Sequence, residues 1–113
     1  MFGDDPNAEV VINKNGGKQS AIPVRMDLIP ARELLELGKI LKHGGEKYGD
    51  WNWLKIDVND HLNHALHHIY AFMNADQETM KYEEAYTELT HAFCRLLFAS
   101  TKFRMIHDVE QVA

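Results

Sequence analysis

Cysteine is almost absent: Cys94 is the single one in 113 residues. That excludes an intramolecular disulfide and any cysteine-rich zinc site. Its setting, "HAFCRLLFAS", marks it as a small buried apolar residue rather than a reactive thiol. Cationic residues are also short, with 12 Lys and Arg against 17 Asp and Glu and a net charge of -5. An acidic surface favours neither nucleic acid nor an anionic membrane as a general partner. A nucleotide stays within reach, because a few local cations or a metal ion hold phosphates whatever the total charge. Long apolar runs are missing: none approaches the ~18 residues of a membrane span. The acidic opening "MFGDDPNAEV" lacks the apolar segment of a secretory signal. There are no repeats and no low-complexity tracts. A soluble, cytoplasmic protein is the expectation.

What remains is the material of one compact globular domain, 45% apolar and 26% charged. Residues 1–29 hold Gly16, Gly17 and Pro23 without sustained periodicity, and read as an extended N-terminal arm with a short strand at "EVVIN". Residues 30–113 read as helical. Pro30 suits a helix start, and "ARELLELGKILKH" repeats Leu34, Leu37 and Leu41 at helical spacing until Gly44-Gly45 are expected to stop it. A second helix, capped by Asn59 or Asp60, runs to about Met73 on Leu62, Leu66 and Ile69. "YEEAYTELTHAFCRLLFASTKF" is the longest helix and is apolar over most of its circumference past Glu88. The tail "MIHDVEQVA" adds a turn or a further helical segment. The fold class is therefore all-α. A helix apolar on several sides needs more partners than two short helices supply, which points to a homo-oligomeric bundle, a dimer or tetramer.

Chemistry concentrates in three places. "DHLNHALHHIYAF" carries four histidines, and at about 100° per residue they divide into two groups. His61, His64 and His68 share a stripe beside the apolar face, while His67 turns toward the polar side. Such a stripe suits ligands for a metal, carboxylate or phosphate; it equally suits histidines that only hydrogen-bond to neighbouring helices. On the third helix Glu84, Glu88, His91 and Arg95 form one stripe in an otherwise apolar stretch. Buried carboxylates need pairing or a metal. Glu88 is thus either salt-bridged to Arg95 or to a histidine of the second helix, or bound to a hard divalent cation with imidazole in support. Glu33 and Glu36 make an E-x-x-E pair that gains meaning only if the first helix faces that stripe. In the loop "GGEKYGDWNW", Lys47 can meet a phosphate, and Tyr48, Trp51 or Trp53 can stack on a base. The competing reading is an aromatic-anchored loop that closes over the core. Lys18 and Arg25 in the arm are further phosphate candidates.

Two stretches resemble a known family. "GGKQSAIPVRMDLIPARELLELGKILKHGGEKYGDWNW" is similar to a phage-type pattern in which Gly-Lys and Asp-Leu-Ile-Pro lead into a helix ending in Gly-x-x-Lys-Tyr-Gly and Asn-Trp. "ALHHIYAF" followed by "ELTHAFCRLLFA" resembles the same family's paired helices. The family is the phage dATP/dGTP diphosphohydrolase (MazZ-like) group, related to the all-α MazG-like nucleotide pyrophosphohydrolases. The likeness spans about residues 16–99, and Lys47-Tyr48-Gly49 with Asn52-Trp53 is its most specific part.

The resemblance implies hydrolysis of dGTP or dATP to the monophosphate and pyrophosphate with Mg²⁺ or Mn²⁺, and a part in phage nucleotide-pool remodelling in a host cytoplasm. MazG-like enzymes carry E-x-x-E on one helix and E-x-x-D on a later one. Here Glu88-x-x-His91 takes the second place, and His61-x-x-His64 stands where the first would be. The expected metal donors are Glu33, Glu36, Glu84, Glu88 and His91. Glu36, Glu88, His64 and His68 are the expected catalytic set, and Lys18, Arg25, Lys47, Trp51, Asn52, Trp53 and Arg95 the expected substrate contacts. Two rivals exist. A His-Asp phosphohydrolase needs a dyad with a later Asp, and the only dyad, His107-Asp108, has none after it. A non-catalytic helical oligomer would bind metal or a partner through the same faces.

Overall fold

The computed structural model describes residues 7–75 and 79–112, with side chains through Val109. Part of the connection "NADQETMK" and the first residues of the arm lie outside these. The chain divides before Ala31 into two compact units.

The N-terminal unit holds strands β1 (Val10–Ile12) and β2 (Lys18–Ser20), paired antiparallel with Val10 opposite Ser20 and Ile12 opposite Lys18. β1 falls within the expected "EVVIN"; β2 and the hairpin were not expected. The signal for them is Asn15-Gly16, a strong hairpin dipeptide. Gly16 takes φ +82°, and the Asn13 side-chain oxygen accepts the N–H groups of Asn15 and Gly17 at 2.9 Å each. A short 3-10 turn, Met26–Leu28, follows.

The second unit is helical throughout: α1 (Ala31–Tyr48), α2 (Val58–Asn74) and α3 (Tyr82–Val112). An all-α fold class is what the residues dictate, but three boundaries differ from expectation. α1 runs through Gly44-Gly45, because interior glycines weaken a helix by roughly 1 kcal/mol each without breaking it. Gly49 is the real stop. It adopts φ +97°, and its N–H bonds to the Gly45 carbonyl at 2.9 Å, a left-handed C-terminal cap. α2 begins two residues early, with Asp57 at the cap position and its carbonyl accepting from His61 N–H at 3.1 Å. Asp60 lies in the first turn, where its charge complements the helix dipole. The tail "MIHDVEQVA" is no separate element, since α3 continues to Val112.

α2 and α3 form an antiparallel pair, with His61 beside Arg95 at one end and His68 beside Glu88 at the other. The small residues Ala65 of α2 and Ala92 and Ala99 of α3 are buried, and small side chains let helix axes approach closely. α1 joins through a cluster of Leu37, Cys94 and Phe98, with Ile40 and Trp53 packed against it. The α1–α2 loop is fastened to α3. Trp53 stacks face to face on Phe98, centroids 4.4 Å apart, and Lys102 Nζ donates to the Leu54 carbonyl at 2.6 Å. By contrast Leu62, Leu66, Leu89, Phe93, Leu96 and Leu97 are exposed. Among the described residues no helix is long and apolar enough to cross a membrane.

Among the described residues Phe98 is the one large aromatic that is buried, and it touches both Trp53 and His61. Phe98→Ala is expected to destabilise the chain by about 3 kcal/mol, read as a fall in the denaturant midpoint followed by tryptophan fluorescence. A change below about 1 kcal/mol would show that the loop holds without it.

Candidate active site

The α2–α3 seam collects His64, His68, Glu88, His91 and Arg95. His68 Nδ1 meets Glu88 Oε2 at 2.9 Å, both half-buried. Glu88 thus pairs with a histidine of α2 rather than with Arg95. The His91 ring lies 5.2 Å from that of His68, and His67 lies 5.3 Å on the other side. His67 is exposed, on the polar side as expected; His64 is exposed as well.

His61 stands apart from its stripe: it is 0% exposed. Its Nδ1 is 3.1 Å from Arg95 Nη1 and its Nε2 is 2.9 Å from the Trp53 carbonyl. A guanidinium only donates, so Nδ1 is the acceptor, and the ring proton belongs on Nε2, facing the carbonyl. The ring is therefore neutral with both nitrogens satisfied. Burial holds its pKa below the ordinary histidine value, and the charges of Arg95 and Lys102 push the same way against the Trp53 hydrogen bond. Burial also lowers His64 and His91. Arg95 and His68 then lower His64 further. For His91, His68 adds to the lowering and Glu88 opposes it.

Arg95 itself is half-buried and, among the described residues, takes part in no ion pair with a carboxylate. Its one hydrogen-bond partner there is the neutral His61 ring. A cation set into a seam of histidines without a counter-charge suits an incoming anion. Cys94 is buried and its thiol is pushed up to about 11 by that burial, so it stays protonated and inert.

The α1 carboxylates lie at the α1–α3 junction. Glu33 Oε2 accepts from the Tyr86 hydroxyl at 3.4 Å, and Arg32 stands over the Tyr86 ring at 5.4 Å. Glu36 pairs with Lys39 Nζ at 2.9 Å. Glu84 is exposed in the first turn of α3. The five expected metal donors thus do not close into one cluster. Among the described residues no three His, Cys, Asp or Glu side chains converge to hold a metal ion. The reason is that α1 meets α3 near Tyr86, whereas Glu88 is turned into the α2 seam by His68.

The loop divides its roles. Trp53 is a core anchor, as the closing-loop reading has it. Trp51 is 67% exposed, in a left-handed backbone conformation (φ +65°), with its ring 6.0 Å from Trp53. Asn52 is half-buried between them, and Lys47 Nζ rests 4.9 Å over the Tyr48 ring. In the N-terminal unit Lys18 is exposed, and the Arg25 guanidinium is taken up bidentately by Asp27 at 2.8 and 3.0 Å. The His107-Asp108 dyad lies on exposed helix surface, where Asp108 pairs with Arg104 at 3.0 Å.

Because folding holds His61, His64 and His91 below the ordinary value of 6.5, the unfolded chain takes up protons first as pH falls. The stability tied to their neutral forms is fully present above 6.5 and is lost as pH drops from there through the folded values. Denaturant midpoints are expected to hold down to about that pH and then decline; a midpoint that climbs on acidification would contradict the neutral seam.

A family model described as "dATP/dGTP diphosphohydrolase, N-terminal" matches residues 13–110. No curated protein and no solved structure gives a match. The matched stretch covers all three helices up to the end of the described side chains, and with them every residue of the seam. The chain belongs to the dATP/dGTP diphosphohydrolase N-terminal family.

Proposed function

We propose that this chain hydrolyses a purine deoxynucleoside triphosphate, dGTP or dATP, to the monophosphate and pyrophosphate. The observation that carries the reading is Arg95, a half-buried cation without a carboxylate partner among the described residues, in the same seam as the His68–Glu88 pair. Family membership supplies the substrate class.

The chemistry follows from these side chains. Arg95 and Lys47 hold the polyphosphate. Trp51 and Asn52 frame the base, and Trp53 holds their loop in place. Glu88 accepts from His68 Nδ1–H, which leaves Nε2 as a base able to take a proton from water. The water oxygen bonds to the α-phosphorus, the bond from that phosphorus to the α–β bridging oxygen breaks, and pyrophosphate leaves. His64 is the second proton carrier at the seam. Mg²⁺ or Mn²⁺ belongs to the proposal as well, with Glu36, Glu88, Glu33, Glu84 and His91 as candidate donors. Mg²⁺ characteristically takes one or two carboxylates plus substrate phosphates, so a three-donor protein cluster is not required. Such an ion would neutralise triphosphate charge and make the bound water more acidic.

Homo-oligomerisation is part of the same reading. The exposed Leu62, Leu66, Leu89, Phe93, Leu96 and Leu97 are a large apolar complement for one small chain, and such surfaces are ordinarily covered by a partner. A second copy is the proposed cover. Sedimentation is expected to give a mass above the 13.0 kDa of one chain, with Phe93→Glu shifting it toward the monomer; a monomeric wild type would remove the oligomer from the account. The nucleotide-pool role of a phage enzyme is likewise proposed on the resemblance.

The enzymatic test is a panel of all the deoxynucleoside triphosphates with Mg²⁺ or Mn²⁺, products identified by ion exchange. Pyrophosphate and a purine monophosphate are expected, with loss on chelation and recovery on adding the ion back. Glu88→Gln should reduce kcat at least ~100-fold, and His67→Ala no more than ~threefold. Equal losses would refute the seam assignment. Ion binding with no turnover across the panel would instead favour a non-catalytic metal-binding oligomer.

A further inference from the structure

The seam holds a fully buried titratable group that the hydrolysis does not use: His61. It has no exposure, so it cannot meet a substrate. Among the described residues it is nonetheless the only ring that bonds both to a candidate phosphate contact and to the backbone of the candidate base-framing loop. Nδ1 faces Arg95 Nη1 at 3.1 Å; Nε2 faces the Trp53 carbonyl at 2.9 Å. The ring is wedged edge-on against Phe98, centroids 5.2 Å apart. Phe98 in turn carries Trp53 on its face.

The chemical identity of the group matters. A carboxylate in this position would orient Arg95 more strongly, but it would also neutralise it. A neutral imidazole nitrogen gives the guanidinium an acceptor and leaves its full charge for an anion. The other nitrogen must then carry the proton, and it finds the one acceptor that fits, a loop carbonyl. Each end thus fixes the tautomer required by the other.

We propose that His61 is a positioning residue: through one neutral ring it aims Arg95 at the polyphosphate and locks the Trp51–Trp53 loop to the same frame. This rests on the reading of Arg95 as a triphosphate contact. In consequence the phosphate end and the base end of the substrate site are held at a fixed separation by a side chain that touches neither.

Two conservative variants separate the two bonds. Asn places an amide oxygen near the Nδ1 position, and so keeps an acceptor for Arg95 while releasing Trp53. Gln places an amide nitrogen near the Nε2 position, and so keeps the donor to Trp53 while releasing Arg95. Steady-state kinetics with dGTP and dATP are to be measured for His61→Asn, His61→Gln, Arg95→Ala and the His61→Gln/Arg95→Ala double variant. The loss of a hydrogen bond to a charged group predicts that His61→Gln raises KM about tenfold more than His61→Asn. Its kcat should change less than its KM. In the Arg95→Ala background, His61→Gln should add less than about twofold, since there is no guanidinium left to aim. Tryptophan fluorescence should show the opposite order, changed by His61→Asn and little altered by His61→Gln.

Equal effects of Asn and Gln on KM, or additive effects with Arg95→Ala, would overturn the proposal. Should either variant fail to melt cooperatively, nitrogen NMR of the wild type decides: a neutral ring protonated on Nε2 near neutral pH supports the link, and a charged ring or the other tautomer refutes it. A wild type that turns over no nucleotide would sink the proposed hydrolysis alone. The NMR tautomer and the fluorescence contrast would still decide whether His61 joins Arg95 to the loop.

Discussion

A histidine with no solvent exposure persists only if it is uncharged and both of its nitrogens are answered, and His61 meets both conditions. Much of the second unit depends on that ring. It reaches from α2 to Arg95 on α3, to the backbone of the α1–α2 loop, and to Phe98, around which Leu37 of α1 and Trp53 also gather. Removing the ring would take from the Trp53 carbonyl the nearer of its two donors, the other being Ile56 N–H at 3.3 Å, and would leave the Arg95 guanidinium without its acceptor among the described residues. The polar link and the apolar cluster are thus one piece of structure.

The seam above it works by contrast. Ala65 of α2 and Ala92 and Ala99 of α3 are buried, while His68, Glu88 and Arg95 stay partly exposed. There His68 and Glu88 pair, while Arg95, with no carboxylate to pair with among the described residues, keeps its charge. The neighbouring His64 and His91 are held toward their neutral forms by burial first and by this cationic company second. The seam thus brings together a cation without a carboxylate partner among the described residues, a carboxylate-paired imidazole and further imidazoles held toward their neutral forms.

The sequence made the helices legible because their apolar repeats are regular, and it made the α3 stripe legible because Glu88, His91 and Arg95 interrupt an apolar run. It also carried the family likeness, in Lys47-Tyr48-Gly49 and Asn52-Trp53. It misled where one residue type has two physical meanings. Gly44-Gly45 look like a stop but lie inside α1; Gly49 ends it, because only that glycine takes the left-handed conformation. Trp51 and Trp53 look equivalent two positions apart, yet one is core and the other surface. His61 reads as one more member of a histidine stripe, because its partners lie 8 and 34 residues away and no periodicity in the chain connects them. Glu33 and Glu36 read as companions of Glu88; their side chains instead meet Tyr86 and Lys39, a consequence of where two helices cross.

The left-handed backbone at Trp51 has a meaning of its own. That conformation costs an ordinary L-residue about 1 kcal/mol, and glycine or asparagine would occupy it with less strain. The chain reverses direction there in any case, immediately after Gly49, so the turn itself asks for no bulky side chain. A large indole at such a position strains the backbone, and its only ring neighbour among the described residues is Trp53. The backbone is thus held in a strained conformation while an apolar plate stands largely in water beside the anchored ring of Trp53, so a smaller residue there would relax the turn at little cost to the helices.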